Sequence, residues 1–125
     1  MILVDTSVWV DHLRVGDEEL AALLDDGEVL IHPFVIGELA LGSLPERNQY
    51  LAMLDQLPRV TSVTDEEVLR LVERQRLFGR GIGFIDAHLL AALGLTPAAV
   101  LWTRDRRLAE TANQLGLAIR PSHRA

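Results

Sequence analysis

An α/β fold, with a parallel central sheet flanked by helices, is the architecture this sequence predicts, and three observations predict it. Short apolar, β-branched runs alternate with segments of helical periodicity. Two of those runs, Ile2-Leu3-Val4 and Val100-Leu101-Trp102, read as buried strands and lead into acidic residues, Asp5 and Asp105. Two longer apolar segments each carry a single carboxylate, Glu38 and Asp86, although a charge in apolar surroundings is costly unless something neutralises it.

The elements follow in order. Ile2 to Val4 is a strand, and Thr6 or Ser7 opens a helix running to about Leu13. Asp17-Glu18-Glu19 places acids in the first turn of a second helix, whose stripe is Leu20, Leu23 and Leu24 and whose end is Gly27. Val29 to Ile31 is the second strand, and Pro33 occupies the first position of the next helix. Gln49 to Leu57 and Asp65 to Phe78 are predicted helices, the latter with Thr64 as N-cap and Glu67 completing a capping box. Gly79, Gly81 and Gly83 form a loop before a helix from about Ile85 to Leu93. Val100 to Trp102 is a strand, Arg106 to Leu115 a helix and Leu117 to Ile119 a last short strand.

Composition narrows the possibilities. A chain of 125 residues matches one domain with one core, expected here over residues 1–125. No apolar run approaches the roughly 18 residues of a membrane span, and no basic n-region precedes a long apolar stretch. Cysteine is absent, which excludes thiolate metal sites and Cys nucleophiles and fits a cytoplasmic location. All 12 basic residues are arginine, as a G+C-rich coding sequence favours, so chemistry that needs lysine is excluded. The net charge of −6 disfavours indiscriminate nucleic-acid binding, although bound metal and local Arg clusters reverse the potential where it matters. The apolar content of 49 % implies a generous core or a surface covered by another chain.

Each acid alone has a bland explanation. Asp5 and Asp105 suit helix N-caps, and Asp86 suits the start of a helix. Glu38 is harder to dismiss. From Pro33 to Leu44 it is the sole charged residue, with Phe34, Val35 and Leu41 on its helical face, and it lies too deep for capping. The structural alternative is a buried Glu paired with an Arg. A cation pocket explains all four acids together, since ligands of open α/β sheets bind beyond the carboxyl ends of strands. Oxygen donors without Cys or a His pair favour Mg²⁺ or Mn²⁺ over Zn²⁺, and such sites hydrolyse phosphodiesters.

The ordered set Asp5-Thr6-Ser7-Val8-Trp9, Glu38, Ile85-Asp86-Ala87-His88-Leu89-Leu90-Ala91 and Thr103-Arg104-Asp105-Arg106-Arg107-Leu108 resembles the PIN-domain ribonucleases. Within them the chain is similar to VapC-type toxins of bacterial toxin–antitoxin pairs, from its first residues to about Ile119. The resemblance implies a Mg²⁺- or Mn²⁺-dependent endoribonuclease with Asp5, Glu38, Asp86 and Asp105 as acidic ligands, supported by Thr103 and, less directly, Ser7. It also implies an RNA substrate and a cognate VapB-type antitoxin that blocks the site, with a homodimer or a hetero-oligomer with the antitoxin as the expected assembly. Leu20, Leu23 and Leu24, with Val8 and Leu39, are candidates for an antitoxin groove, or else they are core. An antitoxin Arg inserted among the four carboxylates would displace metal.

Other features carry less. Arg80, Arg104 and Arg106 are candidate phosphate contacts. Gly79-Arg80-Gly81-Ile82-Gly83 is not a dinucleotide fingerprint. His12, His32, His88 and His123 are dispersed, and none is assigned to catalysis. Trp9 and Trp102 read as core. A receiver-like domain lacks its lysine, a phosphatase its Asp-x-Asp at the first strand, and a P-loop its Gly-Lys pair. The non-enzymatic alternative is a metal-stabilised binding module.

Overall fold

The computed structural model describes residues 1–119, so His123 lies outside the described residues. The element order is β1 (Ile2–Val4), α1 (Thr6–Val15), α2 (Glu18–Asp25), β2 (Val29–Leu30), α3 (Pro33–Ala40), α4 (Arg47–Gln56), α5 (Asp65–Arg74), α6 (Phe84–Gly94), β3 (Val100–Trp102) and α7 (Arg106–Gln114). The sheet has the order β2-β1-β3 with both pairings parallel. Ile2 is in register with Val29 and Val100, and Val4 with Trp102. Central β1 is therefore paired on both sides and wholly buried, which is why it reads as a continuous apolar run rather than an alternating one.

Beyond the paired strands, Ile31 bridges to Arg59 and Leu101 bridges to Ala118. The strand expected over Leu117 to Ile119 is thus a single bridge, held by Leu101 N–H on the Leu117 carbonyl at 2.6 Å and Ile119 N–H on the Leu101 carbonyl at 3.0 Å. Trp9, Trp102, Leu3, Leu20, Ile31, Leu54, Leu89, Leu90, Leu93, Leu101 and Leu108 fill the core. Both tryptophans are fully buried, as expected.

The proposed groove is not a surface. Leu20 and Val8 are fully buried and Leu39 is nearly so, while Leu23 and Leu24 pack against the same core. Leucines at helical spacing pack against the core here: Leu20, Val8 and Leu39 are covered by this chain itself, and Leu23 and Leu24 are partly covered.

Helix ends account for most boundary differences. α2 stops where Gly27 enters the left-handed region at φ 67°, with Gly27 N–H on Leu24 O and Glu28 N–H on Leu23 O. That is a Schellman end built on glycine, as its sequence signals. α5 stops by the same device but on Arg76, at φ 54°, with Leu77 N–H on Val72 O at 2.9 Å. The helix therefore ends at Arg74 rather than reaching Phe78. The capping box at its start is present, with Glu67 N–H on Thr64 Oγ1 and Thr64 N–H on Glu67 Oε1.

Candidate active site

Parallel strands end at one edge, and β1 and β3 deliver their next residues side by side. Asp5 follows Val4, Thr103 follows Trp102, and Asp5 N–H bonds the Trp102 carbonyl at 2.9 Å. Asp5 is buried. Its Oδ2 accepts hydrogen bonds from Ser7 Oγ and Thr103 Oγ1, each at 2.8 Å. Those hydroxyls are themselves held. Ser7 Oγ accepts the Arg104 N–H at 3.0 Å, and Thr103 Oγ1 accepts the Asp105 N–H at 3.0 Å. The network fixes the rotamer of Asp5 and ties the start of α1 to the turn after β3.

The other three acids come from helix starts and one helix face. Asp105 is the N-cap of α7, its Oδ1 accepting Leu108 N–H at 3.0 Å. Asp86 lies in the first turn of α6, where its Oδ2 accepts Gly83 N–H at 3.0 Å. Both capping explanations are thus physically present, yet neither consumes the whole carboxylate. Glu38 projects from α3, and Thr6 Oγ1 donates to its Oε1 at 2.6 Å.

Glu38 corrects a premise drawn from the sequence. It is exposed, not held at the rim of the core, and among the described residues it is ion-paired with no arginine. Val35 and Leu39 carry the packing of α3, while Phe34 and Leu41, at 38 % and 91 % exposure, share the outward side with Glu38. The apolar run around it is partly surface.

The charges of the other three acids nonetheless act on Asp86. Burial raises the Asp86 carboxyl above the ordinary aspartate value. The Gly83 N–H opposes this, and the charges of Asp5, Asp105 and Glu38 push it up further. Among the described residues, no arginine forms a salt bridge with any of the four. A half-buried acid repelled by three others is what a bound cation would relieve. Among the described residues, however, no three His, Cys, Asp or Glu side chains are gathered to hold an ion by themselves. Mg²⁺ does not require such a cage, because it keeps several waters and takes one or two carboxylates along with phosphate oxygens. An all-oxygen donor set with unrelieved repulsion fits a hard divalent ion.

The arginines divide. Arg104 Nε lies 2.6 Å from Asp11 Oδ2 and its Nη2 2.8 Å from Asp17 Oδ2, with the guanidinium 5.8 Å from the Trp102 ring centroid. Burial works to raise the Asp17 carboxyl, but the Leu20 N–H and Arg104 outweigh it and hold it below the ordinary value. Arg104 thus clasps α1 and the α2 cap to the turn bearing Asp105, and a phosphate contact would have to compete with two carboxylates. Arg106 is largely exposed and lies 3.8 Å from Glu110. Arg80 is half-buried in the glycine loop. In that loop Gly81 has φ +77°, and the Arg107 side chain lies where a Cβ would stand.

Sequence reasoning missed Thr6, whose hydroxyl partners Glu38, and the pairing of Asp11 and Asp17 with Arg104. The signal for Thr6 was its place beside Asp5, read there as a helix start alone. His88 is buried at 3 % exposure and bonded to Asp65 Oδ1 at 2.8 Å.

A parallel sheet with four acids brought to its carboxyl edge from two strand exits and two helices defines a class, and the family comparison gives it a name. The PIN domain model matches residues 2–114, and the chain belongs to that family. It is 52 % identical over 119 residues to Ribonuclease VapC32 of Mycobacterium tuberculosis (strain CDC 1551 / Oshkosh), covering 95 % of this chain and 96 % of the relative. The same figures hold for Ribonuclease VapC32 of Mycobacterium tuberculosis (strain ATCC 25618 / H37Rv).

Proposed function

We propose that this protein is a Mg²⁺- or Mn²⁺-dependent endoribonuclease and the toxin of a type II toxin–antitoxin pair. The observation that carries the reading is Asp86, whose half-buried carboxyl is raised first by burial and then by the charges of Asp5, Asp105 and Glu38. Membership of the PIN family and the similarity to a ribonuclease over nearly the whole chain support it.

In this reading Asp5, Glu38, Asp86 and Asp105 would be the residues that hold the cation, with water supplying its remaining ligands. When bound, Mg²⁺ or Mn²⁺ supplies a Lewis acid that activates water and stabilises charge on phosphate oxygens. Ser7 and Thr103 aim Asp5, and Thr6 orients Glu38. Asp105 stays anchored by the Leu108 N–H at the start of α7 through one oxygen, which leaves the other for the cation. Without a covalent protein intermediate, the protein contributes position and field. Arg80 and Arg106 are the candidates for phosphate contact, and Arg104 positions Asp105. The partner is a VapB-type antitoxin, which would block the site by placing an Arg among the carboxylates.

Two measurements test this. Purified protein with RNA should cleave in Mg²⁺ or Mn²⁺ and stop with chelator, whereas a metal-stabilised binding module would leave RNA whole in both. Mn²⁺ at about ten times its Kd should stabilise the wild type by about 1.4 kcal/mol, roughly 5 °C in Tm, with a smaller shift for Asp5→Asn. Equal shifts in both proteins would remove Asp5 from the ligand set.

A further inference from the structure

The four acids leave the glycine loop before α6 without a role, and one arginine of α7 gives it one. Gly81 lies at φ +77°, and a Cβ there would stand 2.5 Å from Nη1 of Arg107 and 2.6 Å from its Cδ. The Arg107 side chain thus occupies space on the loop that only a glycine leaves open. Both ends of this contact belong to the acidic edge. Arg107 is the second residue of α7, directly behind the N-cap Asp105. Gly81 stands two residues before Gly83, whose N–H holds Asp86 Oδ2 at 3.0 Å. Arg107 therefore reaches from the turn that carries Asp105 to the loop that leads into Asp86.

The needs of the fold do not account for this residue. A cation in the first turn of a helix opposes the dipole, and the first turn of α7 contains no acid. Arg107 is exposed, and among the described residues its guanidinium forms no hydrogen bond or salt bridge. Its neighbours differ, for Arg104 is held by Asp11 and Asp17, and Arg106 lies 3.8 Å from Glu110. Packing on Gly81 restricts the side chain in advance, so less freedom is lost when its planar fork meets an acceptor. Such a fork matches the paired oxygens of a carboxylate or a phosphate. Arg107 takes no carboxylate of its own chain, although Asp105 is two residues away. The acceptor that a ribonuclease brings to this edge is a phosphodiester. We propose that Arg107, seated on Gly81, is a substrate-binding residue that grips a phosphate of the RNA at the edge carrying Asp86 and Asp105. The proposal rests on the ribonuclease reading and names a residue that holds its substrate.

The experiment measures binding rather than turnover. Asp86→Asn protein in Mg²⁺ is titrated with a short single-stranded oligoribonucleotide at several salt concentrations. Adding Arg107→Gln should weaken binding about tenfold and shrink the slope of log K against log salt by about 0.7. Arg70→Gln, the same charge change on the exposed part of α5, should do neither. Arg107→Lys should keep the slope but recover only part of the affinity, because it restores the charge without the fork. Copies of the RNA carrying one uncharged methylphosphonate, moved along the strand, then locate the contact. One position should weaken binding to the Asp86→Asn protein and cause no further loss once Arg107→Gln is present. The melting temperature of Arg107→Gln should stay level or rise, since the lost charge opposes the dipole of α7. Methylphosphonate penalties that are the same with and without Arg107→Gln at every position overturn the proposal, and so does RNA affinity that Arg107→Gln leaves unchanged. If wild-type protein cleaves RNA in Mg²⁺ or Mn²⁺, either result sinks the Arg107 contact alone. Failure of the wild type to cleave sinks the ribonuclease reading and this contact with it.

Discussion

Asp86→Asn should keep the fold, lower RNA cleavage by about a hundredfold or more, and make the metal-free protein more stable at neutral pH. The activity loss follows from removing one charged oxygen donor from a set of four in a site that works by position and field. The fold survives because an Asn oxygen still accepts the Gly83 N–H at the start of α6. The stability change has the opposite sign to most losses of a charged group. Burial and the charges of Asp5, Asp105 and Glu38 raise this carboxyl above its unfolded value of 3.8. The folded state then holds the proton more tightly than the unfolded chain, so stability falls as pH rises through that window. At neutral pH ionised Asp86 is a net cost in metal-free protein, and Asn removes it. Urea unfolding in chelator should show the variant ahead at pH 7 and its lead gone well below about pH 3.8, where Asp86 of the wild type is protonated in the folded and unfolded states alike. Added Mn²⁺ should narrow the gap, because the wild type gains more from the ion. A variant that cleaves RNA at nearly the wild-type rate removes Asp86 from the chemistry.

The sequence made the strand exits legible and obscured the surfaces. Asp5 and Asp105 were readable because a buried run followed by an acid has few meanings, and parallel pairing puts both at one edge. Gly27 announced the end of α2, whereas Arg76 ended α5 in the same backbone conformation with no glycine to mark it. Glu38 was found for a reason the structure revises. Its apolar neighbours implied burial, but Phe34 and Leu41 face solvent, and periodicity alone cannot separate a covered apolar face from an exposed one. The same ambiguity ran the other way for Leu20 and Leu39, which were candidates for a docking groove and are core. The Thr6–Glu38 and Arg104–Asp17 contacts span 32 and 87 positions. Contacts over such separations are set by tertiary packing and leave no local pattern to read.

Acid should weaken the protein through His32 before it protonates most carboxylates. His32 is the N-cap of α3, and its Nδ1 accepts Phe34 N–H at 2.9 Å. That bond needs an unprotonated Nδ1. Burial, and then electrostatic interaction with His88 and Arg59, lower its pKa from 6.5 to about 4. The unfolded chain thus binds a proton that the folded state refuses, and stability falls as pH drops from 6.5 toward 4. A shift of this size corresponds to up to about 3 kcal/mol across that window, a large share of the stability of a small domain. Asp86 works against the trend, since its raised carboxyl favours the folded state as pH falls. His32→Asn separates the two. Asparagine keeps a side-chain acceptor for the Phe34 N–H and does not titrate. Urea midpoints from pH 7 to pH 4 should fall steeply for the wild type and much less for His32→Asn, whatever fixed cost the lost ring contacts with Phe34 and His88 impose. Parallel curves for the two proteins would show that His32 is protonated without consequence and that α3, with Glu38 upon it, does not depend on this cap.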